Sequence, residues 1–217
     1  MSGRAMLRRL CVIGIVGSGI VPAPAGVAAQ TVIGRGSAAA VTTPTSGPQT
    51  FASVLLPAGG GMLNVDADVA AVPNTLGASG LTTITTGQVD EKLVSATTTA
   101  EATKVNILNG LITAKAVLAL ATSYADGATA QSESVGSALQ GLVVNGQSYG
   151  DIVPNPNTRL ALPGVGYVVL NEQTSTGDGV HTAGLTVNMI HVYLTDPVTG
   201  GSIGDIVVGT AQSAATL

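Results

Sequence analysis

Short turn sequences divide most of this chain into runs of alanine, valine and threonine. From Phe51 onward the runs are separated by pairs such as Asn145-Gly146, at intervals of roughly 10–20 residues. β-Branched residues favour strands, and Asn-Gly pairs favour the tight turns that join antiparallel strands. The pattern predicts an all-β fold, an antiparallel β-sandwich-like domain over residues 51–217.

Nine candidate strands follow from this pattern. They are Phe51–Leu56, Met62–Val69, Gly80–Thr86, Lys92–Val105, Leu111–Tyr124, Ser137–Val144, Thr158–Leu170, Leu185–Leu194 and Gly204–Ser213. Two stretches, Asp90–Lys104 and Ala114–Ala121, also contain good helix formers, but their period-two alternation favours strands. Because Leu111–Tyr124 is apolar on both faces, we expect it to lie in the centre of a sheet.

The scarcity of charge narrows the classes of function. Charged residues make up 9% of the chain and aromatic residues 2%, whereas 45% is hydrophobic. Coiled coils and nucleic-acid-binding proteins need more charge than this, and disordered chains are less hydrophobic. The composition therefore predicts a packed domain, but it indicates no particular activity.

The N-terminus has the pattern of an export signal. Three arginines precede the apolar stretch Leu10–Val21, which is too short to span a bilayer. The small residues Val27 and Ala29 suit signal peptidase, so we predict a signal peptide over residues 1–29. Both the general secretory route and twin-arginine export are compatible with this pattern.

Cleavage at this position would leave an acidic chain without cysteine. Three arginines and Cys11 would leave with the signal, which changes the net charge from −4 to −7. That charge disfavours binding to nucleic acid or to an anionic membrane surface, and the mature chain could form neither a disulfide nor a thiolate metal site. We expect a secreted, extracellular or cell-surface protein with no cofactor and no membrane span in the mature chain.

Residues 30–50 form a low-complexity segment of alanine, threonine, serine, glycine and proline in which Arg35 is the single charge. This composition predicts a flexible segment. The runs Thr31–Ile33 and Ala38–Thr43 also have strand composition, so the alternative is an extended strand that awaits a partner. In that case it would be a candidate donor strand for another copy of the chain.

Several motifs between Ser95 and Ser213 resemble the bacterial choice-of-anchor P family of surface proteins. They are VNILNGLITA at 105–114, GLVVNG at 141–146, PNT at 156–158, LPGVG at 162–166, VVLNEQ at 168–173, GLTVNMIHV at 184–192 and GDIVVGTAQS at 204–213. The resemblance implies an exported β-rich domain joined to varied C-terminal anchors, with no enzymatic activity attached. No sorting motif follows Ser213, so the chain resembles an anchorless member, for which free secretion or attachment by assembly is expected.

Glu172, His191 and Asn171 are the candidate interaction residues. Glu172 follows the apolar run Val168–Leu170 within the VVLNEQ motif, where it is either a contact for a ligand or subunit or a polar strand end. His191 lies in a strand pattern, and its imidazole could bind a metal or act as a base. The plainer interpretation is a strand histidine that is hydrogen-bonded to its neighbours. We predict no catalytic residue, no cofactor-binding residue and no metal ligand.

Two further groups of residues are of types that occur in binding sites. Asp66 and Asp68 lie on one face of a predicted strand and could contribute to a calcium site, but a solvated strand face is the interpretation we adopt. Four tyrosines and Phe51 are the aromatic side chains from which a carbohydrate site could be built.

The sequence thus predicts an exported cell-surface or extracellular structural or interaction protein with no enzymatic activity. Its expected partners are further copies of itself, through strand edges, or other cell-surface components. One alternative is a secreted ligand- or polysaccharide-binding module, whose site would combine tyrosines with Asp66 and Asp68. Another is a secreted hydrolase, which requires an acid within hydrogen-bond reach of His191 in a cleft.

Overall fold

The structure, a computed structural model, describes residues 30–217 as two antiparallel β-sheets packed face to face. The predicted signal peptide, residues 1–29, lies outside the described residues. The predicted all-β, β-sandwich-like fold is confirmed. The described part of the chain has no helix long and apolar enough to cross a membrane.

Thirteen strands make up the two sheets. They are β1 (Thr31–Thr43), β2 (Gly47–Leu55), β3 (Gly61–Val72), β4 (Leu76–Val89), β5 (Val94–Ile107), β6 (Ile112–Ala125), β7 (Ala130–Glu133), β8 (Ala138–Val144), β9 (Gln147–Ile152), β10 (Thr158–Leu162), β11 (Gly166–Gly177), β12 (Thr182–Thr195) and β13 (Ser202–Thr216). Of the two stretches that contain helix-forming residues, Ala114–Ala121 lies in β6 and Val94–Lys104 lies in β5, as predicted, whereas Asp90–Leu93 belongs to the connection before β5.

The first sheet has the strand order β10-β11-β12-β13-β1-β2. The second sheet has the order β3-β4-β5-β6-β8-β9, and the short strand β7 also pairs with β6. Strand β6, which contains most of the predicted central strand Leu111–Tyr124, lies inside the second sheet. The edges of the sandwich are β10 and β2 in the first sheet and β3 and β9 in the second.

The prediction that residues 30–50 are flexible is wrong. Strand β1 lies inside the first sheet between β13 and β2, and it is paired along most of its length with both neighbours. The strand alternative was the better interpretation, but its partners belong to the same chain, so β1 is not a free donor strand. Its small residues fit the closely packed interior; Ala38 and Ala39 are fully buried.

One predicted strand is in fact two. The stretch Thr158–Leu170 is divided into β10 and β11 by a tight turn, closed by a hydrogen bond from the Val165 N–H to the Leu162 carbonyl oxygen. Gly164 has a φ of 76° in this turn, a left-handed conformation that glycine adopts without steric cost. Pro163-Gly164 is a typical turn sequence, but the apolar residues on both sides of it made the stretch resemble a single strand.

The core between the sheets is built largely from small side chains. Ala100 and Ala119 of the second sheet are fully buried, as is Ala211 of the first. Buried hydroxyl groups form hydrogen bonds with each other. One of these hydrogen bonds spans the two sheets and joins Ser123 Oγ to Ser213 Oγ at 2.8 Å. Small residues let the two sheets approach closely, which leaves little room for larger side chains.

Side-chain alternation reverses once in each of five strands of the first sheet. In β12 the buried positions are Val187 and Met189 before the reversal and Ile190 and Val192 after it. The reversals are aligned by the strand register, and they form a line across the sheet that we call the kink row. Its members are Asn171, Met189, Gly209, Ala38 and Ala52.

Three members of the kink row, in alternate strands, adopt the left-handed conformation. They are Asn171 with a φ of 50°, Gly209 with 73° and Ala52 with 47°. A left-handed residue in a strand lets two successive side chains point to the same side of the sheet, as in a bulge. The second sheet has related reversals, and Lys104 of β5, with a φ of 50°, lies at one of them.

Candidate functional site

Glu172 of β11 forms the centre of a hydrogen-bonded cluster on the outer face of the first sheet. Its Oε2 lies 2.6 Å from Nδ1 of His191 and accepts from Asn188 Nδ2 at 2.9 Å. Its Oε1 accepts from the Tyr193 hydroxyl at 2.5 Å. All three partners lie on the neighbouring strand β12, so the two strands are joined by side chains as well as by backbone hydrogen bonds. We call these four residues the Glu172 cluster.

The kink row places Glu172 on the outer face. Leu170 points into the core, and under regular alternation Glu172 would point there too. The reversal at Asn171 turns Glu172 outward instead. Asn171 itself is 3% exposed, and its Nδ2 donates to the Pro154 carbonyl oxygen at 2.8 Å. The candidate interaction residue Asn171 is therefore buried, and its side chain stabilises the loop before β10 through this hydrogen bond.

The hydrogen bonds of the cluster control the ionisation of its acids. Burial alone would raise the pKa of Glu172, but hydrogen bonds from Tyr193, His191 and Asn188 outweigh it and hold the pKa below its usual value. Burial, together with the hydrogen bond to the Glu172 carboxylate, raises the pKa of Tyr193 well above its usual value. Glu172 is therefore an acceptor-only carboxylate at neutral pH, and Tyr193 is a donor.

The second ring nitrogen of His191 faces another carboxylate. His191 Nε2 lies 3.4 Å from Oδ2 of Asp205 on β13 and has no hydrogen-bond partner among the described residues. The imidazole, whose side chain is 13% exposed, thus lies between two acids, Glu172 and Asp205. In its protonated form the ring can donate towards both of them.

A stack of rings continues from the cluster towards the sheet edge. The His191 and Tyr193 ring centroids lie 3.9 Å apart, and those of Tyr193 and Tyr167 lie 4.7 Å apart. The guanidinium carbon of Arg159 on β10 lies 3.7 Å from the Tyr167 ring centroid. Because the rings cover one another's faces, the stack offers little free ring face on which a sugar could pack.

The cluster meets only part of the requirement for a hydrolase. An acid does lie within hydrogen-bond reach of His191, as that alternative demands. A catalytic triad, however, would need a nucleophilic hydroxyl at the other ring nitrogen, where the structure has the Asp205 carboxylate. The cavities described at the surface lie elsewhere, for example around Pro73 and Asn109. The geometry suits an interstrand brace better than acid–base catalysis.

The remaining candidate residues lie far apart in the fold. His181 is an exposed residue of the β11–β12 turn, where its Nδ1 lies 3.4 Å from Asp178 Oδ2. Asp66 and Asp68 lie on edge strand β3, and Asp66 accepts from Asn64 Nδ2 at 2.9 Å. The described residues contain no group of three or more histidine, cysteine, aspartate or glutamate side chains that could hold a metal ion.

Sequence reasoning singled out Glu172 and His191 but missed Asn188 and Asp205 as their partners. Under regular alternation Asn188 would share a face with Ile190 and not with His191, so the sequence carried no signal for this grouping. The comparison with known proteins adds no information about the site: no protein family, no curated protein and no solved structure matches this chain.

Proposed function

We propose that this protein is an exported, extracellular or cell-surface interaction protein without enzymatic activity, and that it pairs with a second copy of itself through strand β3. The observation that carries the proposal is the exposure of β3, a twelve-residue edge strand whose first half is exposed on both faces. The predicted export signal supports the location, and the Glu172 cluster, whose carboxylate is occupied by hydrogen bonds from three side chains of β12, supports a structural role for these residues.

The free edge of β3 is long and exposed, whereas proteins usually shorten or cover such an edge. Met62 is 68% exposed and Val69 is 61% exposed. Leu63 and Val65, which lie between them, are also exposed. A long apolar edge with unpaired backbone groups is a template for pairing with another strand. The other edge strands β2, β9 and β10 are shorter. Strand β3 is therefore the edge best suited to sheet extension.

A second copy is the occupant that fits this edge. In an antiparallel β3–β3 pair centred on Val65, Asn64 of one copy would face Asp66 of the other, and Leu63 would face Ala67. Asn64 already donates to Asp66 within one chain, so the same amide–carboxylate chemistry would be repeated across the interface. This register places no two carboxylates directly opposite each other, and it places Val65 of one copy opposite Val65 of the other.

The test is the mass of the mature chain, residues 30–217, by light scattering over a range of concentrations. We expect a dimer or a larger assembly whose fraction rises with concentration. Replacing Val65 with lysine should shift the population to monomer, because the two-fold axis would then bring two ammonium groups together.

Val198→Lys is the matched control, because Val198 is an exposed valine in the turn between β12 and β13, away from β3. This variant should assemble like the unmodified chain. A chain that is monomeric at every concentration, or a Val65→Lys variant that assembles as well as Val198→Lys, would overturn pairing through β3.

A further inference from the structure

Two lysines face each other on neighbouring strands of the second sheet. The register of β5 and β6 pairs Thr103 with Ala116 and Val105 with Ala114, so Lys104 lies opposite Lys115. Both side chains are exposed and line the same shallow cavity. Like charges directly opposite each other on adjacent strands repel, so this arrangement costs stability unless an anion lies between them.

No carboxylate among the described residues lies within ion-pair distance of either lysine. The ion pairs among the described residues all involve a histidine, so neither lysine forms one there. Residues 30–217 contain five lysine and arginine side chains against twelve acids. Two of these five cationic side chains thus lie opposite each other, although acids outnumber cations in this part of the chain.

The cavity around the two lysines has a volume of about 820 Å³ and further polar groups. Thr113 and Asn106 line it, whereas the hydroxyl of Thr103 already donates to the Ser79 carbonyl oxygen at 2.7 Å. Gly141 makes room for the site, because a Cβ there would lie 2.7 Å from Cγ of Lys115.

The backbone at Lys104 is strained. Its φ of 50° is a left-handed conformation in which glycine or asparagine would be less costly. The same row of the second sheet uses glycine at Gly80 and Gly141. Strained positions that hold a charged side chain towards a cavity are a recurrent feature of binding sites.

We propose that Lys104 and Lys115 bind a doubly charged oxyanion, either the phosphate monoester group of a larger ligand or the free phosphate or sulfate ion. Two ammonium groups and the free polar groups of Thr113 and Asn106 supply the donors that such an anion needs. This site is on a different surface from β3, and it stands on observations independent of the proposed pairing.

The net charge of the site favours a doubly charged anion over a carboxylate. Asp151 Oδ1 accepts from the Gly141 N–H at 2.8 Å, so one negative charge lies beside the two lysines. Attraction to the lysines and repulsion from Asp151 both scale with the charge of the ligand, so the excess of one positive charge attracts a doubly charged anion more strongly. The exposed position of the site predicts weak binding, with a dissociation constant on the order of millimolar for the free ion.

The test is a titration of residues 30–217 with inorganic phosphate at constant ionic strength, followed by amide chemical shifts. We expect saturable shifts at Asn106, Thr113 and Gly141. Lys104→Gln and Lys115→Gln should each weaken binding about tenfold, because each removes one charged hydrogen-bond donor. Lys92→Gln is the matched control, since Lys92 is an exposed lysine in the β4–β5 connection.

A parallel titration with glucose 1-phosphate separates the two sources of the anion. Tighter binding of the ester than of inorganic phosphate would assign the site to a phosphate group carried by a larger ligand, and equal binding would assign it to the free ion. Shifts that do not saturate, or equal affinity in Lys104→Gln, Lys115→Gln and Lys92→Gln, would overturn the proposal. The spectra also report whether each variant is folded.

Discussion

Replacing Gly36 with alanine should lower the free energy of unfolding by roughly 1–3 kcal/mol, because there is no space for the added methyl group. A Cβ at this position would lie 2.8 Å from the carbonyl oxygen of Thr210 and 2.8 Å and 2.9 Å from the methyl groups of Thr83 and Thr98. The first atom belongs to the backbone of the neighbouring strand, and the other two belong to the facing sheet. Relief therefore requires the two sheets to separate locally. Urea denaturation of residues 30–217, followed by circular dichroism, measures the change.

Gly59→Ala is the matched control for this experiment. Gly59 lies in the β2–β3 connection, and nothing lies within 4 Å of the position that its Cβ would occupy. The substitution should change stability by less than about 0.5 kcal/mol. Equal stability of Gly36→Ala and Gly59→Ala would contradict the close packing of the two sheets against β1 at Gly36.

Glu172→Gln should lower the free energy of unfolding by about 2 kcal/mol at neutral pH. The carboxylate accepts hydrogen bonds from three groups on β12, and the amide of glutamine can accept at only one of its two terminal atoms. The partners of the other atom would then lose their acceptor on a half-buried surface. Chemical denaturation at pH 7 measures the difference from the unmodified protein.

The effect of Glu172→Gln should depend on pH in one direction. The pKa of Glu172 is lower in the folded protein than its ordinary value of 4.5, so the folded state binds the proton less well than the unfolded state. The carboxylate's contribution to stability is therefore complete above about pH 4.5 and is lost as the pH falls through the folded-state pKa. The difference between the two proteins should shrink with acidification.

Glu133→Gln provides the matched control, since Glu133 is exposed on β7 and belongs to no side-chain cluster described above. Its stability should follow that of the unmodified protein from pH 7 to pH 3. A Glu172→Gln variant that parallels Glu133→Gln over this range would show that the Glu172 cluster contributes no stability.

The fold class was predictable from the sequence because it rests on local signals. Alternation and turn pairs are encoded within a few residues, so most strands from Gly61 onward were recognised, with boundaries shifted by a few positions. The short strands β7 and β9 were not predicted, and β10 and β11 were predicted as one strand. Strand β1 was harder, because Ala38, Ala39 and Ala40 have no polar alternation. Small residues that fit between two sheets have the same composition as a flexible linker, and only the facing strands distinguish the two cases.

The candidate site was predictable only as separate residues. Glu172 and His191 stood out by type and position, but nothing in the sequence brings them together across 19 positions. Their 2.6 Å contact depends on the pairing of β11 with β12 and on two reversals of alternation, at Asn171 and Met189. Asparagine is common in left-handed conformations in turns, and a single one within a strand does not reveal that it inverts the strand's faces.

The kink row has a consequence for how the strands find their partners. In β13, for example, the segment Thr210–Thr216 consists almost entirely of small residues, so a shift by two residues would leave similar side chains on each face. A reversal at one fixed position in each strand removes this ambiguity, because a shifted strand would match its neighbour only on one side of the reversal. In a chain with few large or charged side chains, the reversals therefore fix the register of the strands. They allow a repetitive sequence to specify a single pairing.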